Sequence, residues 1–301
     1  MTHATGYVVL IEYLGVVSMK TARNAIIVGL PRSGTSLTAG IFVNKNYRTP
    51  RDLLPSNEAN PFGYWEAESL NDHNAAILGA AGFPFHNTWM FDRIRPEQAR
   101  KIYELSPFPE HQRYLQAFEQ HRPWVWKDPR FCYTLAYWWP MMDPKTTGVL
   151  LVRRSTAAIF RSFNRLDWSR PLAQGKNDFH ARVDEHIEAA RAAIRTFDIP
   201  CVEIDYDEFL DAPERVAGRL SDFFGIPVTA ADLNVRRELN HNYLRGRLSG
   251  ALRISTRILP AGAKRAIKRF VPQSVLDVLY PEQKLARAVK DPEPATRRAT
   301  A

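Results

Sequence analysis

Cysteine is nearly absent from this 301-residue chain, where Cys132 and Cys201 are the two present. They stand far apart and lack metal-ligand spacing. That excludes a disulfide framework and points to a reducing compartment. No run reaches the ~18 uncharged apolar residues of a transmembrane helix. The apolar stretch Tyr7 to Val17 is interrupted by Glu12, with no positive segment before it and no small-residue cleavage site after it, so it does not read as a secretory signal. There is no internal repeat, and no low-complexity block before the tail. Acidic residues are missing from 241–276, where eight basic ones stand: Arg245, Arg247, Arg253, Arg257, Lys264, Arg265, Lys268 and Arg269. That segment carries most of the net charge of +9, which suits an anionic ligand or surface but says nothing of fold.

Hydrophobic residues at 45% and charged residues at 24% are ordinary globular values, and the length suffices for one large α/β domain. Residues 1–22 are expected to be an N-terminal extension, with 1–18 dispensable, because Met19 opens a natural domain start. Asn24 to Gly29 (NAIIVG) reads as a buried strand and 36–44 as a helix. Residues 45–65 are rich in Pro, Asn and Gly and form a long loop, a length that usually signals function. Helices are expected at 68–81, 96–120, 155–165 and 177–197, with an aromatic helix over 131–142 that ends near Pro140. Strands are expected at 123–127, 147–153 and 201–204. Asp211-Ala-Pro-Glu opens a last helix through Phe224, stopped by Gly225. This alternation predicts a three-layer α/β/α domain around a central parallel sheet over 23–240, followed by a basic C-terminal segment, 241–301, partly helical with a frayed end.

In such a sheet, ligands bind at the carboxyl ends of the strands. GLPRSGTS at 29–36 fits that rule. It looks like a phosphate-binding loop with Thr35 in the lysine slot and a cation three residues earlier, Arg32. Backbone N–H groups and a helix N-terminus make an anion site, to which Arg32, Thr35 and Ser36 add donors. The plainer alternative is a strand–turn–helix corner. A second cluster, Arg153 and Arg154 at a strand end with Ser162 and Arg165 on the following helix, reads equally as a phosphate grip or a solvated basic helix start.

Together these pieces resemble the sulfotransferase family, enzymes that use 3′-phosphoadenosine 5′-phosphosulfate as donor. In that family a P-[KR]-S-G-T-[ST] loop grips the 5′-phosphosulfate, and here it is Pro31 with Arg32, Ser33, Gly34, Thr35 and Ser36. A strand-end Arg with Ser eight residues later grips the 3′-phosphate, matched by Arg154 and Ser162. Trp126-Lys-Asp-Pro-Arg130 is similar to the KDP segment of the Golgi-type and bacterial branches. Asn60-Pro-Phe-Gly-Tyr-Trp-Glu66 is similar to the bacterial acceptor-side loop, and 206–227 to the last core helix. The resemblance spans about 24–227 and implies a P-loop-NTPase-like fold. It also answers why the loop lysine is missing, since a sulfuryl donor has no γ-phosphate and needs no bridging metal.

The resemblance implies Glu66 as the base, with Glu58 and Glu68 as rivals, His73 or His86 as fallbacks, and a helix-capping carboxylate as the structural alternative. It implies Lys127 against the leaving bisphosphate, the alternative being a buried pairing with Asp128, and Arg32 at the sulfuryl oxygens. The acceptor would be a hydroxyl of a carbohydrate, lipid or small natural product. Tyr64, Trp65, Phe85, Trp89, Trp138 and Trp139 are candidates to line its cleft, although aromatics at such spacing are more often core. A cytoplasmic protein is expected, with no metal and no nucleic-acid partner. The basic tail reads as a solvated face, as a cover over the donor, or as a contact to the anionic inner membrane surface. Two other functions stay open. One is a divergent P-loop nucleotide kinase or triphosphatase, with Cys201 to Asp205 as its metal-binding strand end. The other is a non-catalytic anion-binding protein of the membrane surface.

Overall fold

Four short apolar runs become the strands of a parallel sheet. They are β1 (Asn24–Val28), β2 (Val125–Lys127), β3 (Thr147–Arg153) and β4 (Cys201–Asp205), in the order β2-β1-β3-β4. The computed structural model describes residues 22–57, 60, 63–83, 94–165 and 176–233, all within the unit Met1–Val235. Register is set by apolar residues facing both ways. Ile26 pairs with Trp126 on one side and with Val149 on the other, and Leu150 with Val202. All five residues of β1 are buried, as expected of a central parallel strand covered on both faces.

Alternation along the strands sorts the core into two layers. Ala25, Ile27, Val125, Leu150, Val152 and Ile204 pack with α1 (Thr35–Asn44), α8 (Glu208–Asp211) and α9 (Pro213–Phe224), through Phe42, Phe209, Leu220 and Phe224. Ile26, Val28, Trp126, Val149 and Leu151 face the opposite layer. That layer holds α2 (Glu68–Ala80), α3 (Pro96–Glu104), α4 (Pro109–Glu119), α5 (Phe131–Trp138), α6 (Thr156–Arg165) and α7 (Lys176–Thr196). The architecture is therefore the expected three-layer α/β/α with a central parallel sheet.

Most elements fall within a residue or two of their sequence-based bounds. The expected helix over 96–120 is instead two, α3 and α4. Phe108 precedes Pro109 and is held extended at φ −71, ψ 141, which is incompatible with continuing a helix. The aromatic helix ends at Trp138 and passes into a 3₁₀ turn over Trp139–Met141, because Pro140 has no N–H to donate. The helix α8 is an addition, set just before the expected α9. Glu58, Phe85, His86, Trp89 and the basic segment 241–276 lie outside the described residues.

After β1 the chain passes through α1 on one face and then α2, α3 and α4 on the opposite face before it reaches β2 at one edge. After β3 it passes through α6 and α7 on that opposite face to β4 at the other edge. Between the carboxyl ends of β1 and β3 the connections therefore leave in opposite directions. This opens the crevice that parallel sheets use for ligands.

Candidate active site

The loop leaving β1 is forced into one shape by its neighbours. Gly29 has φ 151, and a Cβ there would sit 2.4 Å from the Val152 carbonyl oxygen of β3. Gly34 has φ 103, and a Cβ there would lie 2.2 Å from the Tyr206 ring. Between them Arg32 adopts φ 69. That left-handed conformation is unusual for a residue with a long side chain and costs about 1–3 kcal/mol wherever it is held. What holds it is the second basic cluster: Arg154 Nη1 donates to the Arg32 carbonyl at 3.0 Å, and Arg32 Nε donates to Ser162 Oγ at 3.0 Å. Tertiary structure thus joins Arg32, Arg154 and Ser162 into one contiguous group, although Arg32 and Ser162 lie 130 positions apart.

The other loop residues divide their work. Ser33 is fully buried, and its hydroxyl donates to the Leu30 carbonyl at 2.6 Å, so its side chain closes the turn. Thr35 is buried at the start of α1. The first N–H groups of this helix, which have no intrahelical partner, open toward the loop. Ser36 is a junction: its hydroxyl donates to the Tyr64 carbonyl at 3.2 Å and accepts from Asn60 Nδ2 at 3.0 Å and Lys127 Nζ at 3.4 Å.

Tyr206, which the sequence reading did not single out, underlies this cluster. It is the first residue after β4, where its N–H donates to the Arg153 carbonyl at 2.7 Å. Its ring packs on Gly34 and lies 4.3 Å from the Arg154 guanidinium, a cation–π contact. Burial pushes its phenol above the ordinary range. An aromatic one residue beyond a parallel strand end was the available signal. Beside it, burial and the neighbouring Asp205 raise the Asp207 carboxyl, opposed by Arg154.

The acceptor-side loop returns to the same corner. Leu54 donates its N–H to the Glu66 carbonyl at 2.7 Å, Leu53 bridges Ala67, and Glu68 N–H donates to the Asp52 carbonyl at 3.0 Å. The Glu66 backbone is therefore clamped just before α2. Preceding it, Trp65 sits at φ 55, a strained conformation for a bulky side chain. The Glu66 carboxylate forms an ion pair with Lys127 at the end of β2, the two side chains being 13% and 3% exposed. Lys127 is thus paired with Glu66. Asp128 faces elsewhere, accepting from Arg130 N–H at 2.8 Å and Asn74 Nδ2 at 2.9 Å. Of the rival carboxylates, Glu68 is exposed at the first position of α2.

His73 is half-buried in a ring cluster with His111 and Tyr114 at centroid distances of 4.6 Å, and burial lowers its basicity. Trp138 and Trp139 are buried core residues; they do not line an open cleft. Tyr64 and Trp65 are partly exposed, and the Tyr64 hydroxyl donates to Asn57 Oδ1 at 2.8 Å. Among the described residues no group of three or more His, Cys, Asp or Glu is arranged to hold a metal.

These residues define an α/β protein with a cationic corner at the switch point of its sheet. The profile of the Sulfotransferase family matches residues 25–230, well over half of the chain, and the chain belongs to that family. It is a transferase of sulfuryl groups. Among solved structures, it is similar to the sulfotransferase domain of the Synechococcus PCC 7002 olefin synthase, with 18% identity over 71% of this chain and 77% of that one and a TM-score of 0.40. A sulfotransferase of Mycobacterium tuberculosis H37Rv shows 14% identity over 74% and 76%, with a TM-score of 0.40. The sulfotransferase domain of the curacin biosynthetic pathway shows 14% identity over 71% and 77%, again at 0.40. No curated protein sequence matches the chain significantly.

Proposed function

We propose that the protein moves a sulfuryl group from 3′-phosphoadenosine 5′-phosphosulfate to a hydroxyl of a carbohydrate, lipid or small natural-product acceptor. One observation carries this reading: Lys127 Nζ meets the carboxylate of Glu66 on one side and the hydroxyl of Ser36, in the anion loop, on the other. A cation that touches both the anion loop and a carboxylate stands where a leaving group and a base have to meet.

The residues fit this donor. Arg32, Gly34, Thr35 and Ser36 at the N-terminus of α1 hold its 5′ end, with Ser33 shaping the turn from beneath. Arg154, stacked on Tyr206, and Ser162 hold the 3′-phosphate. Bound there, the donor supplies an activated sulfate, whose bond from sulfur to the bridging phosphate oxygen is the one broken. As the acceptor oxygen bonds to sulfur, Glu66 takes the hydroxyl proton. Lys127 neutralises the negative charge that grows on the departing phosphate oxygen, and Arg32 faces the sulfuryl oxygens. Most of the rate enhancement comes from holding these groups in line.

A thermal-shift comparison tests the donor class. Stabilisation grows as RT ln(1 + [L]/Kd), about 2.7 kcal/mol at a hundredfold excess over Kd. 3′-Phosphoadenosine 5′-phosphate should stabilise the protein strongly without metal, and ATP with Mg²⁺ should not. Equal or greater stabilisation by ATP with Mg²⁺ overturns the reading in favour of a kinase or triphosphatase.

A further inference from the structure

We infer that Asn74, on α2 and outside the loops assigned to the donor, is a positioning residue that fixes Lys127 and Glu66 relative to each other. The inference rests on the reading of these two as leaving-group cation and base. Asn74 lies on the second turn of α2, has no exposed surface, and stands beside apolar residues such as Leu70 and Ile77. A buried amide is unfavourable unless its hydrogen bonds are made. Here Oδ1 accepts from Thr134 Oγ1 at 2.7 Å and Trp138 Nε1 at 2.8 Å, while Nδ2 donates to Asp128 Oδ2 at 2.9 Å. Asp128, also without exposed surface, uses its other oxygen to accept the Arg130 N–H at 2.8 Å. The Arg130 guanidinium lies 3.1 Å from that same oxygen.

The topology gives this network its meaning. Asp128 follows Lys127 directly at the end of β2, and α2 begins two residues after Glu66. The two ends of the ion pair therefore come from separate elements, and the bond from Asn74 to Asp128 is a direct hydrogen bond between those elements. Thr134 and Trp138 fix the amide so that its N–H, and not its oxygen, faces the carboxylate. An apolar residue would fill the volume but leave the Asp128 carboxylate short of a donor in a dry site.

Coupling between Glu66 and Lys127 can be read without any turnover. The effect of Lys127→Met on the folding equilibrium constant is measured with Glu66 present and again in Glu66→Gln. Residues in direct contact should show a coupling of about tenfold. In Asn74→Asp, which keeps both acceptor bonds but sets two carboxylates face to face, the coupling should fall to within twofold of unity. The double variant Asn74→Asp/Asp128→Asn reverses the bond, keeps the total charge, and should restore most of the coupling. Thr134→Val should lower stability and leave the coupling intact. If Asn74→Asp does not fold, Asp128→Asn alone reads the same bond from its other end.

Unchanged coupling in Asn74→Asp or in Asp128→Asn overturns the inference, as does absence of coupling in the unmutated protein. With a sulfuryl acceptor in hand, kcat in Asn74→Asp should fall by about 10–100-fold with KM values within threefold, since small misplacement of reacting groups is enough for such a loss. Coupling that behaves as expected in a protein showing neither donor binding nor transfer would remove the proposed function and leave the positioning role standing.

Discussion

Removing the Arg154 guanidinium tests the 3′-phosphate assignment most directly. It is pre-ordered by its bond to the Arg32 carbonyl at 3.0 Å and by the Tyr206 ring at 4.3 Å. Little rotamer freedom is left to lose when a phosphate arrives, so its hydrogen bond belongs in the upper part of the ~1.5–3 kcal/mol range for charged groups. At 1.36 kcal/mol per factor of ten, Arg154→Ala should weaken 3′-phosphoadenosine 5′-phosphate by roughly 40–150-fold. Binding of 5′-AMP, which lacks the 3′-phosphate, should change by less than about threefold on the same argument. Titration calorimetry of both nucleotides in metal-free buffer measures the difference. Arg154→Lys keeps the charge and loses the planar fork, so it should recover only part of the preference. Equal affinity of the unmutated protein for the two nucleotides refutes the assignment. So does an Arg154→Ala variant that loses 5′-AMP as severely as the bisphosphate.

Glu66→Gln should lower kcat by ~10²–10⁴ at nearly constant donor affinity, whereas Lys127→Ala should lower kcat and also weaken the bisphosphate product; steady-state kinetics with product titration separates them. Glu68→Gln, at an exposed position, is the control, and near-normal turnover by Glu66→Gln removes Glu66 as the base. His111 predicts an acid-labile core. The Tyr137 hydroxyl accepts the Phe108 N–H at 2.6 Å and lies 2.8 Å from the imidazole Nδ1 of His111. Burial, and secondarily His73, brings its pKa down to about 4 from 6.5. A lowered histidine favours the fold above pH ~6.5 and withdraws that stability as pH falls toward 4, a loss of roughly 3 kcal/mol. His111→Leu should therefore flatten urea-derived stability between those pH values. For the basic segment, charge reversal at Lys264, Arg265, Lys268 and Arg269 should reduce sedimentation with anionic vesicles at low salt and leave nucleotide affinity unchanged, while no vesicle binding by the unmutated protein excludes the membrane role.

Features written in adjacent residues were legible in the sequence. The β1 run ending in GLPRSGTS placed a glycine loop between a strand end and a helix, and Thr147–Arg153 was delimited to the residue, because a doubly covered strand is mostly apolar and closes on its own punctuation. The helix stop at Gly225 and the long loop before α2 were equally local. The prolines around Phe108 held the information that splits 96–120, but helical periodicity runs through both halves and masked the break.

What the tertiary structure alone decided are the encounters between distant segments. Whether Lys127 pairs with its neighbour Asp128 or with Glu66, 61 positions away, depends on how α2 and β2 sit side by side, and Asn74 settles which way Asp128 faces. Arg32 and Ser162 meet because β1 and β3 are neighbours, an adjacency that spacing along the chain does not contain. Tyr206 becomes the floor of the loop only because β4 ends level with β3, where a Cβ on Gly34 would touch its ring. Periodicity reports which face of an element is buried, while the partner met there is chosen by strand order and crossover, and in this protein that choice turns two separate motifs into one site.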